Sequence, residues 1–391
     1  MSGKEIGNVI ERLAVSKKIG IDLHLLTGKY QGSRTFLVNT LAEILKLDKN
    51  NEYFIYLNDK ENFFSSIGIT RIECDHRENI HLRKYFHESR LFRIGINIPI
   101  FEFQDRLDIF HSQYISPLFS FAKDIVTIHD ILYETHPQFF SSLFVLRSRV
   151  FIRISAQRSK KILTDSLFSK SQLVDIYKIP EQKIEVIPGG ADTGRFNEEK
   201  KEEAREYIEN RFGIRDFILN VGRLEPRKNQ LLLVKTYDHL VKTKKIEEKL
   251  VIVGPRDFHY EPIYRYVQNN NLRGRVFILN FIGDEELSAF FKAATIFVYP
   301  SFAEGFGLPV LEAMACGIPV VASDSTSIPE IAGDSCLLIN PYDKDALIQA
   351  MAGLLDSPAL REDLSARGVK RASQFSWKAA AEKTIKVYNR L

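Results

Sequence analysis

Pro300-Ser-Phe-Ala-Glu304-Gly-Phe-Gly-Leu-Pro-Val-Leu-Glu312-Ala-Met-Ala-Cys-Gly317 carries two glutamates eight residues apart, in a glycine-rich turn between an apolar β-run and a short helix. The β-run is Thr295 to Tyr299. The helix opens at Pro309, whose fixed φ and missing N–H suit the first helical position. Gly317 ends it, and Pro319-Val-Val-Ala322 reads as the next strand. Gly305 and Gly307 let the backbone approach a ligand, and the unpaired N–H groups at the helix start favour an anion. Gly305, Phe306 and Gly307 are therefore a candidate phosphate cradle. Glu304 in the loop and Glu312 in the first helical turn flank it, placed to accept hydrogen bonds from hydroxyls on either side of a diphosphate. Such turns are common, and a first-turn glutamate often only complements the helix dipole; the length of the motif sets that reading aside.

Outward from this stretch, apolar β-branched runs alternate with helical patterns, the signal for parallel sheets wrapped by helices. The first half contains Lys18 to Leu26, Tyr53 to Leu57, Ile109 to His111, Ile125 to His129, Lys161 to Thr164 and Lys183 to Ile187. The second contains Phe217 to Val221, Lys249 to Val253, Val276 to Leu279, Thr295 to Tyr299, Val320 to Ala322 and Cys336 to Ile339. Twelve strands exceed one doubly wound sheet of usual size, so two Rossmann-like domains are expected. Pro188-Gly-Gly-Ala-Asp192, followed by the charged stretch Glu198 to Glu206, reads as the break and a possible hinge. The expected division is 1–190 and 191–373. The last segment, 374–391, is helical with Trp377, Ala381, Ile385 and Tyr388 on one face. Residues 1–17 form an extension with Ile6, Ile10 and Leu13 along one side.

Further motifs lie at strand ends, where open α/β sheets bind ligands. Phe217-Ile-Leu-Asn-Val-Gly222-Arg223-Leu-Glu-Pro-Arg-Lys228-Asn229 is a strand, a glycine turn and a helix start read as capped by Asn229. Arg223 and Lys228 there can neutralise a diphosphate, although alone they read equally well as solvated cations. Gly254-Pro255 and Phe281-Ile282-Gly283 also end strands and are candidate walls of a nucleotide-base pocket. In the first half His129 ends a strand and is followed by Asp130. It is expected to face a cleft between the domains, the alternative being a packing histidine; His136 in the next loop reads as structural.

Bulk properties exclude several classes. Of 391 residues 45% are hydrophobic and 27% charged, as in ordinary globular proteins. Cys74, Cys316 and Cys336 have no disulfide or metal-ligand spacing, which fits a reducing cytoplasm. No secretory signal is recognisable, and no apolar run reaches the roughly 20 residues of a spanning helix. The net charge of +4 resides wholly in residues 1–190, with 26 Lys+Arg against 22 Asp+Glu, too small an excess to argue for nucleic acid. Residues 135–164 contain no acid but carry Arg147, Arg149, Arg153, Arg158, Lys160 and Lys161 among apolar residues. That pattern is either a helix with a solvated face or a peripheral contact with anionic membrane. His81 to Arg93 is a second basic and aromatic patch.

The Glu304–Glu312 string resembles the E-x7-E signature of retaining glycosyltransferases with the GT-B architecture, in particular glycosyltransferase family 4. The Gly222–Asn229 string is similar to that family's G-R-x4-K-N element, and His129-Asp130 to its His-Asp pair. The resemblance implies two Rossmann-like domains facing a cleft, with the C-terminal helix crossing back onto the first. It implies Glu304 and His129 at the donor sugar, Arg223 and Lys228 on the diphosphate, and Glu312 on the ribose. Gly28-Lys-Tyr-Gln-Gly32-Ser-Arg34 corresponds to an acceptor-side glycine loop. Relatives often have glycine at Arg34 and asparagine at Gly189, so Gly32 and Arg34 suggest an altered acceptor contact, such as an anionic one. The implied reaction is retaining transfer from a nucleotide-diphosphate sugar, GDP-mannose first and UDP-sugars next, to a saccharide or lipid-linked saccharide. The nucleotide sugar is a substrate; no cofactor is expected, and no metal, since no carboxylate cluster such as Asp-x-Asp is placed to bind one. The competing readings are a nucleotide-sugar epimerase of the same architecture and a non-catalytic nucleotide-sugar binding protein.

Overall fold

A computed structural model describes residues 16–27, 32–59, 63–67, 78–87, 89 and 92–391. Cys74, residues 28–31 of the glycine loop and nearly all of the N-terminal extension lie outside them. Two all-parallel sheets are present. The first has the order β3 (Ile80–Lys84), β2 (Glu52–Leu57), β1 (Lys18–Asp22), β4 (Ile109–Gln113), β5 (Lys123–Thr127), β6 (Lys161–Thr164) and β7 (Ile184–Val186). The second runs β10 (Val276–Leu279), β9 (Lys249–Val253), β8 (Phe217–Val221), β11 (Ile296–Tyr299), β12 (Val320–Ser323) and β13 (Leu337–Ile339). Each is doubly wound: three strands step outward, then the chain returns to the other side of the first, so the order reverses between β1 and β4 and between β8 and β11. Helices cover both faces of each sheet. The central strands are accordingly apolar on both sides, β2 and β11 being buried almost throughout.

Several strand limits move. The run read from Lys18 to Leu26 stops at Asp22 and passes into a 3₁₀ turn, His24–Thr27. β5 ends at Thr127, two residues short of His129. A thirteenth strand, β3, was not expected: Ile80-His-Leu-Arg-Lys84, whose last four residues open what reads as a basic patch, pairs among the described strands with β2. An edge strand half in solvent has no need of an unbroken apolar run.

The helix Trp377–Arg390 packs against the first domain, burying Trp377, Ala380, Ala381, Thr384, Val387 and Tyr388. Trp377 meets the edge of Phe36, and the Tyr388 hydroxyl lies 2.7 Å from Nδ1 of His111. Truncating so large a buried ring to alanine costs about 3–5 kcal/mol. A Cβ on Gly190 would lie 2.4 Å from the Trp377 nitrogen, so the two crossings between domains run in backbone contact at this point.

Candidate active site

The strands next to the reversal in the second sheet, β8 and β11, deliver Gly222–Asn229 and Pro300–Gly307 side by side. A crevice at such a reversal is where doubly wound sheets bind ligands. The helix Leu308–Ala315 begins immediately after Gly307, whose φ of +114° only glycine adopts without strain. Pro309 is the second residue of that helix rather than the first, and Glu312 lies one full turn in, beyond the first turn where it was expected.

The centre of the site is an ion cluster. Nζ of Lys228 lies 2.8 Å from Oε1 of Glu304 and 2.7 Å from the Tyr299 hydroxyl. Arg227, which sequence reasoning passed over, donates through Nη1 to Oε2 of Glu304 at 2.9 Å and to the Ala303 carbonyl at 2.6 Å. Its Nη2 donates to Glu225 at 2.7 Å. Burial alone would raise the Glu304 carboxyl, but Arg227 and then Lys228 outweigh it and hold it at about 2. Lys228 is pushed down by its burial, with Arg227 adding to the effect and Glu304 opposing it. The backbone of the loop is pinned as well. The Glu304 amide donates to Thr326 Oγ1, and Ser327 Oγ donates to the carbonyls of Glu304 and Phe306.

Arg223 is half-buried at the same strand end, with Nη1 2.6 Å from Oδ2 of Asp257. Asn229 does not cap the following helix: its side chain donates to the carbonyls of Pro300 and Pro341, joining three loops. Phe306 turns its ring into the core, so only its backbone borders the cradle. Glu312 is half-buried, and burial raises its carboxyl to about 7 against the attraction of Arg195. Gly254 ends β9 beside Gly222, and Phe281 ends the neighbouring β10 at 89% exposed with Ile282 half-buried. These three lie just beyond the ends of adjacent strands.

The first domain closes over this loop. Ser166 Oγ donates to the Gly305 carbonyl at 2.8 Å, and the Leu167 amide at the start of the helix Leu167–Tyr177 donates to Glu330 at 2.9 Å. A Cβ on Gly305 would lie 2.6 Å from Oδ2 of Asp130, so this glycine is required by contact across the cleft. Phe139 stacks on Phe302, their centroids 5.4 Å apart. Gly32 opens the helix Gly32–Leu47, 3.8 Å from Leu308 measured from an added Cβ, and Arg34 is half-buried two residues on.

His129 is buried, at 4% exposed. Its Nδ1 lies 2.7 Å from Oδ2 of Asp165, its Nε2 3.2 Å from Oε1 of Gln113, and Phe36 meets its ring edge-on. Asp165 thus fixes the ring, and Asp130 is the residue of the pair that touches the facing domain. Arg227 and Asp165 carry no local signal, and Asp130 is legible only as the second member of the His-Asp pair. A cation beside a cation and an aspartate after a histidine look alike whether they face solvent or a partner.

Residues 201–371 match the family model for glycosyl transferases group 1, and residues 54–195 that for glycosyltransferase family 4. The chain is 32% identical over 269 residues to the Escherichia coli O-antigen chain mannosyltransferase B, covering 69% of this chain and 71% of that one. It is 25% identical over 343 residues to the O-antigen chain mannosyltransferase RfbU of Salmonella typhimurium, covering 85% and 88%. Among solved structures, Anabaena HepE in complex with UDP and glucose superposes with a TM-score of 0.75 over 96% of this chain and all of that one, at 17% identity.

Proposed function

The chain belongs to glycosyltransferase family 4, the group 1 glycosyltransferases, and is a glycosyltransferase of GT-B fold; on that premise we propose that it moves mannose from GDP-mannose to a hydroxyl of a growing saccharide, with retention. The mannose assignment is supported by the activity named for its relatives in O-antigen synthesis. The observation that carries the reading is the Arg227–Glu304–Lys228 cluster at the end of the strands flanking the sheet reversal.

On donor binding, Lys228 exchanges Glu304 for a phosphate oxygen, and Arg223 turns from Asp257 to the same diphosphate. The amides at the start of the helix Leu308–Ala315 add their positive end. Glu304, held ionised, accepts from a hydroxyl of the sugar, and Glu312 accepts from the ribose. His129, oriented by Asp165, exchanges Gln113 for a sugar hydroxyl near the reacting carbon. The anomeric carbon–oxygen bond breaks with its electron pair going to the leaving phosphate. The acceptor oxygen bonds to that carbon from the same face, and its proton passes to the departing phosphate oxygen. Preorganised charge at the leaving group is the main source of rate in such a step. The epimerase and binding-protein readings are not favoured, since both family matches are to transferases.

The acceptor is proposed to be lipid-linked, met at the surface of an anionic membrane. In the helix Ser142–Arg158, Val145, Ile152 and Ala156 pack inward. Leu143 at 76% and Leu146 at 65% exposed, with Val150 and Ile154, form an outward apolar row among Arg147, Arg149 and Arg153. A purely solvated face has no need of that row, whereas an interfacial one does.

A thermal-shift panel of GDP, UDP, GDP-mannose and UDP-glucose tests the donor. A ligand at 100 times its dissociation constant adds about 2.7 kcal/mol. GDP-mannose is expected to stabilise most; a shift with UDP-glucose alone would overturn mannose, and no shift with any nucleotide would overturn the donor site.

A further inference from the structure

Arg227 and Lys228 are neighbours in a single 3₁₀ turn, Pro226–Lys228, and both reach Glu304, yet their surroundings differ. The guanidinium of Arg227 is taken up by the protein: Nη1 by the Ala303 carbonyl and Glu304, Nη2 by Glu225. Its own carbonyl accepts from the Phe302 amide at 2.9 Å, so one residue ties down three consecutive positions of the β11 loop. Among the described residues, the Lys228 ammonium bonds to Glu304 and the Tyr299 hydroxyl only. A compact ammonium on a flexible stem can turn to a new oxygen, whereas a planar fork held on both arms cannot turn without breaking several bonds.

We infer a division of labour within this pair: Lys228 leaves Glu304 for the donor diphosphate, while Arg227 stays on Glu304 as a positioning residue that keeps its carboxylate aimed at the sugar. The inference rests on the donor-site reading above and assigns Arg227 no contact with the nucleotide. The groups facing Glu304 bear it out. Tyr299 and Ser301 come from β11 and its loop, Glu225, Arg227 and Lys228 from the β8 loop, and Thr326 from the loop after β12; Asp130 stands across the cleft beside Gly305. When Lys228 departs, Arg227 is the remaining cation on the carboxylate. Without it, a buried Glu304 would take up a proton and lose the acceptor the sugar hydroxyl needs.

The test compares Arg227→Met, Arg227→Lys and Lys228→Met with the parent enzyme. Calorimetry reads the affinity for GDP and UDP, and turnover of GDP-mannose and UDP-glucose is followed from pH 4 to 9. Arg227→Met is expected to keep nucleotide affinity within about threefold while kcat falls by roughly 100-fold, with the acid limb of its pH profile moved upward into the assayed range. Arg227→Lys should recover most of the rate and the original limb. Lys228→Met should show the opposite split, losing nucleotide affinity by roughly tenfold or more. In a Glu304→Gln background Arg227→Met should cost within about threefold, because a residue acting through Glu304 has nothing further to lose. Equal loss of nucleotide affinity in Arg227→Met and Lys228→Met would overturn the inference by placing the guanidinium on the phosphates. So would an unmoved acid limb, or full additivity with Glu304→Gln. If Arg227→Met does not fold, Arg227→Lys decides through the position of its acid limb and its nucleotide affinity. A parent enzyme that neither binds these nucleotides nor turns over either sugar would instead overturn the donor-site reading.

Discussion

The Ser166 hydroxyl donates to the carbonyl of Gly305 at 2.8 Å, so the first domain is bonded directly to the loop assigned to the donor diphosphate. Domain closure and the shape of the cradle are therefore one event, and Asp130 on the same side leaves Gly305 no room for a side chain.

Gly305→Ala places a Cβ 2.6 Å from Oδ2 and 2.9 Å from Cβ of Asp130, both within one neighbouring side chain and its stem. The first domain must back away, while neither core is touched. The expected outcome is a larger radius of gyration by solution scattering and a fall in kcat/KM of roughly 10- to 100-fold, with thermal stability nearly unchanged. An unchanged radius together with parental kinetics would show that closure does not bear on Gly305.

Glu304→Ala is expected to lower kcat by roughly 100-fold while GDP affinity holds or improves, because its partner is the sugar and it competes for Lys228 in the free enzyme. Replacing Arg223 or Lys228 by methionine should weaken nucleoside diphosphate binding by roughly 10- to 100-fold through loss of a charge-assisted bond. Isothermal titration separates the two behaviours. Parental nucleotide affinity in both cation variants would remove them from the phosphate site.

Glu312, raised by burial to about 7 from an ordinary 4.5, gives a pH signature. Between those values the folded state holds a proton that the unfolded state has lost, so this group's contribution to stability falls as pH rises through the window. Glu312→Gln should therefore gain in melting temperature relative to the parent between pH 5 and pH 8. Glu102, raised by burial to about 7, and Asp124, raised to about 6, act alike in both proteins and cancel. Affinity for the intact nucleotide sugar should rise from pH 6 to pH 8 in the parent, as the ribose acceptor ionises, and stay flat in Glu312→Gln. The same rise in both proteins would take Glu312 out of ribose binding.

Charge reversal of Arg147, Arg149 and Arg153 should abolish co-sedimentation with anionic vesicles and leave donor hydrolysis intact. Each cation near such a surface adds about 1 kcal/mol, and salt weakens the attraction. Parent protein that stays in the supernatant at low salt would return the helix Ser142–Arg158 to a solvated role.

Much of this architecture is legible locally. Strand, turn and helix around Glu304 and Glu312 follow from apolar runs broken by Gly305, Gly307, Pro309 and Gly317, because backbone freedom and hydrophobic periodicity act over a few residues. The repeated alternation of such units announces two doubly wound sheets, and the face of Trp377, Ala381 and Tyr388 announces a packed last helix. The edge strand β3 has no such signature, since half-solvated backbone does not select apolar residues.

What the tertiary structure alone decided lies between distant segments. Arg227 on Glu304, Asp165 on His129, Ser166 on the Gly305 carbonyl and Asp130 against Gly305 join positions separated by 36 to 175 residues. Side-chain charge and hydroxyl groups are visible in the chain, but their partners depend on which strand ends the sheet order brings together and how the domains close. That is why the two loops that meet at Glu304 are legible in residue order, while the proposed division between a cation that moves and a cation that holds rests on the geometry around Glu304.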